Sequence, residues 1–183
     1  MRIGVFFGER FEDVEALTVV DLLRRAGHDV ETVSVSSSNY VMSSHGVEIR
    51  TDFIVSEVSL SSYECLVLPG GPGHKNLEKC DRLMKHVKYF AKDDNKYIAA
   101  ICAAPSIFGR LGLLEGKKAT CFPGYEDQLK GATCTGAEAE IDGNIITGRS
   151  AGCAVPFALK LIEALDGREA AEKIAESICY DFR

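Results

Sequence analysis

Residues 97–105 read Tyr-Ile-Ala-Ala-Ile-Cys-Ala-Ala-Pro. An unbroken apolar run of this length is the signature of a strand buried on both faces. Pro105 fits the first turn of a helix but not a central strand. Cys102 is therefore expected in the sharp turn between a core strand and the following helix, where a nucleophile elbow would place it. A helix start offers free N–H groups and a favourable dipole, so the thiol pKa is expected to fall. The competing reading is a buried structural cysteine.

Upstream, Leu66-Val67-Leu68-Pro69-Gly70-Gly71-Pro72-Gly73-His74 is a second buried strand running into a glycine-rich turn. Adjacent glycines let backbone approach a ligand closely and aim N–H groups at an oxyanion. The turn lacks the spacing and Lys-Ser/Thr ending of a phosphate loop, and no dinucleotide fingerprint fits. Further upstream, Arg-Ile-Gly-Val-Phe-Phe gives a first strand, and residues 11–26 form a helix pattern. Acids crowd its start, Arg24 and Arg25 close its last turn, and Gly27 caps it. Glu15 lies within that helix among Val14, Ala16, Leu17, Val19 and Val20, which read as the buried face. A carboxyl group there must be paired or protonated. Protonated, it can donate a hydrogen bond to a thiolate; the alternative is a first-turn acid facing water.

Strand signals at 2–7, 30–35, 64–69, 97–101 and 118–121 alternate with helical ones at 11–26, 76–92 and 105–113. Helices at 152–165 and 168–178 close the chain, and Asp142-Gly143 reads as a hairpin turn. The alternation predicts an α/β fold with a mostly parallel sheet and helices on both faces. Its 183 residues, without repeat or linker, are expected to form one domain, 1–183. Ligands of such sheets bind at the carboxyl ends of the strands, where Cys102, Gly70 and Gly71 fall.

A net charge of −6 argues against a nucleic-acid footprint. The start runs straight into a strand, so no signal peptide is expected, and a cytoplasmic setting follows. The apolar stretch 97–114 is broken by Pro105 and Arg110, so no membrane span is expected. Seven cysteines (65, 80, 102, 121, 134, 153, 179) are odd in number and form no CxxC pair. They read as reduced thiols rather than a disulfide framework, and no spacing suits a zinc or other metal site.

Taken in order, the Glu15 helix, Leu-Pro-Gly-Gly-Pro-Gly and Ala-Ala-Ile-Cys-Ala-Ala-Pro resemble the ThiJ/PfpI superfamily, also called the DJ-one superfamily. The likeness extends to Val-Asp-Leu-Leu-Arg-Arg-Ala-Gly at 20–27, Gly-Leu-Leu-Glu-Gly-Lys-Lys-Ala-Thr-Cys-Phe-Pro at 112–123 and Ile-Thr-Gly-Arg-Ser-Ala-Gly at 146–152. Within the superfamily the chain most resembles the DJ-one and bacterial YajL branch. The resemblance implies a flavodoxin-like three-layer sandwich with a nucleophile-elbow cysteine. It implies Cys102 as the reactive cysteine, Glu15 as its protonated partner, and Gly70, Gly71 and Ala103 as oxyanion or binding donors. It also implies a homodimer with the pocket near the two-fold interface, and no cofactor. His45 stands where the family often has an arginine near that interface, so a contribution to the partner's site is one reading and a surface histidine the other. Cys121 and Cys153 adjoin family motifs and are expected near the pocket; the remaining cysteines are expected to be buried.

The departures narrow the function. Ala103 replaces the histidine that follows the nucleophile in the protease-like branch, which removes a protease's general base. Phe122 replaces the histidine that precedes the proline at 123 in the eukaryotic branch, so these positions supply no Cys-His dyad. His74 stands beyond the glycine turn as a further minor candidate, while His28 and His86 read as solvated and Arg149 as a structural or interface charge. Two function classes follow from the resemblance. The first is an enzyme acting on small reactive carbonyls or glycated adducts, a glutathione-independent glyoxalase or a deglycase. The second is a cysteine-based oxidative-stress sensor or chaperone with little turnover.

Overall fold

The computed structural model describes residues 1–182; Arg183, the last residue of the expected domain, lies outside the described residues. The chain runs β1 (Arg2–Phe7), α1 (Asp13–Arg25), β2 (Asp29–Ser34), β3 (Tyr40–Met42), β4 (Glu48–Arg50), β5 (Phe53–Ile54) and β6 (Cys65–Leu68). It continues through α2 (His74–Glu78), α3 (Asp81–Phe90), β7 (Tyr97–Ile101), α4 (Pro105–Arg110), β8 (Lys118–Ala119) and β9 (Thr133–Cys134). The last elements are β10 (Ala139–Asp142), β11 (Ile145–Gly148), α5 (Ala154–Asp166) and α6 (Arg168–Ser177).

Seven strands form one sheet in the order β10-β11-β7-β6-β1-β2-β5, parallel except for β10 against β11. Side chains alternate across it. Ile3, Val5, Phe7, Cys65, Val67, Ala99 and Ile101 face the core that includes residues of α1, α5 and α6. Phe6, Leu66, Leu68, Ile98 and Ala100 face the one that includes residues of α2, α3 and α4. Every residue of β6 is buried, which is why its sequence is a run rather than an alternation. Chain order reverses between β1 and β6, and at the carboxyl ends beside such a switch point an open parallel sheet has its crevice.

Helix α1 ends as its sequence requires. Gly27 adopts φ 85° and the His28 N–H returns to the Leu23 carbonyl at 3.1 Å, closing the helix with a left-handed glycine. Its buried face is Ala16, Val19, Val20, Leu22 and Leu23 together with Glu15. Val14 and Leu17, expected in that face, are instead 51% and 40% exposed, because the core contact is rotated toward the later positions of the helix. The expected helix at 76–92 is two helices, with Cys80 in an extended conformation before Asp81 opens the second. The expected strand at 118–121 stands outside the main sheet, paired with β9. The β10–β11 turn is held by Gly143 and Asn144, since Asp142 pairs with Ile145. The Asn144 amide donates to the carbonyls of Phe90, Asp93 and Lys96 at 2.9–3.2 Å.

No helix among the described residues is long and apolar enough to cross a membrane.

Candidate active site

Cys102 follows β7 directly and has φ 65°, one of three non-glycine residues with positive φ among those described. A left-handed cysteine costs on the order of 1–3 kcal/mol. Two backbone hydrogen bonds hold it there: Cys102 N–H to the Gly148 carbonyl at 2.9 Å, and Phe122 N–H to the Cys102 carbonyl at 2.8 Å. At roughly 0.5–1.5 kcal/mol each, they offset a strain of that size. The turn is further tied by Ser106 Oγ donating to the Ala103 carbonyl at 2.6 Å. Strand, left-handed cysteine and Pro105 at the helix start make an elbow.

Glu15 projects from α1 into the same place and is fully buried. Its Oε2 accepts the Gly70 N–H at 3.0 Å, while its Oε1 is buried without a hydrogen-bond partner. Burial is the main cause that raises its pKa, to about 7. The Cys102 thiol and the Gly70 N–H favour the ionised form, but they do not outweigh desolvation. The carboxyl and the thiol lie close enough for each to shift the other's pKa.

The thiol does not behave as the helix-dipole argument suggests. Burial, and then the negative charge of Glu15, push Cys102 up to about 12; N–H groups of Gly71 and Ala103 act in the opposite direction. The expected fall is overturned because desolvation disfavours the thiolate more than the helix start favours it. With Glu15 ionised, the thiol is the donor and the carboxylate the acceptor.

Gly70 and Gly71 sit at the end of β6 as expected, but they differ. The Gly70 N–H is engaged by Glu15, whereas Gly71 has φ 74° and turns its N–H toward Cys102. Ala103 presents its own N–H to the same sulfur. A cavity of about 260 Å3 opens over the thiol, lined in part by Gly71, His74, Lys75, Cys102, Phe122 and Tyr125.

His74 is buried, not a loosely placed neighbour of the turn. Its Nδ1 bonds the Gly71 carbonyl at 2.8 Å and its ring meets Tyr125 edge-on at 5.8 Å. Burial lowers its pKa, so the neutral ring donates from Nδ1 and props the glycine turn. Its place directly after the turn was the available signal; the approach of Tyr125 left none. His45 is exposed and binds Asp13 at 3.0 Å, and it does not line the cavity. Glu12, Asp13 and His45 are the one cluster of possible metal ligands among the described residues, and it lies outside the cavity.

Other expectations change. His28 is buried with its Nε2 2.8 Å from an Asp166 carboxylate oxygen, because the loop after α1 packs beneath the end of α5; His86 is half-buried and bonds the Arg82 carbonyl. Cys65 is buried, but Cys80 is only partly so, and Cys134 and Cys179 are exposed, since they fall at helix and strand ends rather than on core faces. Cys121 and Cys153 are buried and do not line the cavity. Arg149 bonds the Gly136 carbonyl.

A mostly parallel sheet between helices, with a cysteine elbow facing a buried glutamate, defines a flavodoxin-like α/β protein of the cysteine-elbow type. The DJ-1/PfpI family model matches residues 1–164, and the chain belongs to that family. It is 41% identical over 167 residues to protein DJ-1 homolog B of Arabidopsis thaliana, covering 90% of this chain and 38% of the plant protein. The chain thus spans well under half of that relative's length. It is 28% identical to the glutathione-independent glyoxalase DJR-1.2 of Caenorhabditis elegans, covering 93% of this chain and 91% of the nematode protein. To the deglycase PYRAB04690 of Pyrococcus abyssi it is 29% identical, covering 83% and 92%. Among solved structures, oxidised DJ-1 of Toxoplasma gondii matches with a TM-score of 0.92 at 34% identity over 99% of both chains.

Proposed function

We propose that this protein is a cysteine enzyme of reactive-carbonyl metabolism, converting methylglyoxal to lactate without glutathione or cleaving early glycation adducts. The observation that carries this reading is the buried Glu15 carboxyl, poised near pH 7 in contact with the Cys102 thiol beneath a small cavity. A relative named as a glutathione-independent glyoxalase and another named as a deglycase support the same chemistry.

The thiol is too weakly acidic to be a standing thiolate, so its proton leaves as it attacks. Ionised Glu15 accepts the S–H proton while sulfur bonds the aldehyde carbon. The oxygen that gains charge is held by the N–H groups of Gly71 and Ala103, and Glu15 returns the proton to it, giving a hemithioacetal. Glu15 then removes the proton from the former aldehyde carbon and delivers it to the neighbouring carbon through an enediol. The product is a lactoyl thioester on Cys102, and water releases lactate and the thiol. Gly70 supplies room and one hydrogen bond to Glu15 rather than a free oxyanion donor. No step calls on a cofactor or metal.

The folded unit is read as a single domain. A homodimer is proposed from the exposed apolar residues Val14 and Leu17 on α1 and Tyr40, Met42 and Val47 on and beside the β3–β4 hairpin. His45 sits on that hairpin, so its reach toward a partner's cavity belongs to the dimer reading. Seven free cysteines accord with a reducing, cytoplasmic setting.

The test is lactate formation from methylglyoxal without glutathione in wild type, Cys102→Ser and Glu15→Gln. Wild type is expected to turn over with a rate that rises through pH 7 as Glu15 ionises, and both variants to fall at least a hundredfold. Stoichiometric loss of methylglyoxal without lactate, since any thiol forms such adducts, together with selective peroxide oxidation of Cys102, would replace this reading with the oxidative sensor.

A further inference from the structure

The short β8–β9 pair sets Ala119 opposite Cys134, and the Thr135 N–H donates to the Ala119 carbonyl at 2.9 Å. The chain leaving β8 therefore runs beside the end of β9, which brings the Cys134 sulfur near enough to act on the Cys121 thiol. Neither is in a disulfide. They differ in access: Cys121 is 3% exposed, while Cys134 faces solvent. Burial, the neighbouring sulfur and Glu126 together push the Cys121 thiol up to about 12, and its exposure makes Cys134 the point of entry. Cys65, by contrast, is buried with desolvation the sole cause of its raised pKa.

We propose that Cys121 and Cys134 form a redox-active dithiol, separate from Cys102, that closes to an intramolecular disulfide by exchange with a small-molecule disulfide such as oxidised glutathione. In the first step the Cys134 thiol loses its proton to solvent and its sulfur attacks one sulfur of oxidised glutathione. The glutathione S–S bond breaks, one glutathione leaves as thiolate and takes up a proton, and a mixed disulfide stands on Cys134. Cys121 then gives up its proton to water and attacks the Cys134 sulfur, expelling the second glutathione. The protein loses two electrons and two protons, and one oxidised glutathione becomes two reduced molecules. A thiol held just beyond the adjoining strand makes the second step intramolecular, which is the advantage of this pair over an isolated surface cysteine. The bond would tie β8 to β9 across the segment that carries Phe122 and Tyr125, both of which line the Cys102 cavity.

The experiment uses the folded full chain carrying Cys102→Ser, so its result is independent of the carbonyl chemistry above. After exposure to oxidised glutathione, free thiols are alkylated during unfolding and the protein is digested with trypsin. Cys121 falls in the peptide 119–130 and Cys134 in 131–149, so the disulfide joins two otherwise separate peptides. The linked pair is expected, with an intact mass lower by about 2 Da, reversed by dithiothreitol. Adding Cys121→Ser should leave glutathione stranded on Cys134, and adding Cys134→Ser should leave Cys121 unmodified. A persistent mixed disulfide on Cys134 beside a free Cys121, two free thiols, or linkage of Cys134 to any other cysteine overturns the proposal.

Discussion

A Cβ built on Gly70 would lie 2.6 Å from Glu15 Oε2, 2.7 Å from Cys102 Cβ and 2.8 Å from the Ile101 carbonyl oxygen. Two of these neighbours are backbone or Cβ atoms that cannot rotate away, so the conflict must push the elbow and the glutamate apart. Gly70→Ala is expected to cost about 1–3 kcal/mol in urea unfolding, the usual range for overpacking. It should also remove carbonyl turnover even where the protein stays folded, because the carboxyl-to-thiol contact is lost. A Gly70→Ala protein with full stability and full lactate formation would show that the close approach has no role.

At the level of elements, α1 serves two masters: one face buries Glu15 beside Cys102, and the other leaves Val14 and Leu17 in water. Leu17→Glu places a charge on the outer face without touching the core. If that face joins two copies, the variant should sediment as a monomer while its circular dichroism stays that of wild type. A wild type that is itself monomeric at micromolar concentration would sink the dimer. The elements that position the site were legible in the sequence because β1, β6 and β7 are buried on both faces and must be apolar throughout. The β3–β4 hairpin and β5 were not legible; with two or three residues each, mostly exposed, they carry no periodicity to read. Cys102 and Glu15 were legible as candidates because each breaks a local rule, a cysteine before a helix-starting proline and an acid in an apolar stretch. His74 was only a minor candidate and Tyr125 was missed, because their meeting depends on a tertiary approach. The direction of the thiol shift was missed for the same reason, since desolvation is set by the packed surroundings.

For the molecule as a whole, Glu15 couples the site to stability. Its folded pKa of about 7 stands above the ordinary 4.5, so the folded state holds the proton more tightly. The stabilisation is complete below pH 4.5 and is lost as pH rises through 7, a change of roughly 3 kcal/mol. His28 acts in the opposite sense: burial lowers its pKa, so its contribution is present above about 6.5 and fades as pH falls through its folded value. Urea unfolding at pH 5 and pH 8 should show wild type losing stability relative to Glu15→Gln as pH rises, because glutamine does not titrate. Parallel behaviour of the two proteins would mean that Glu15 is ionised throughout.

The Asn144 amide lies at the opposite end of the sheet from Cys102, with two hydrogens shared among the carbonyls of Phe90, Asp93 and Lys96. Those carbonyls span the approach to β7, a strand of only five residues. A slip of one residue at its beginning would exchange its two faces and carry Cys102 off the bend. One asparagine thus acts as the datum from which the position of the Cys102 sulfur is measured, a full strand length away.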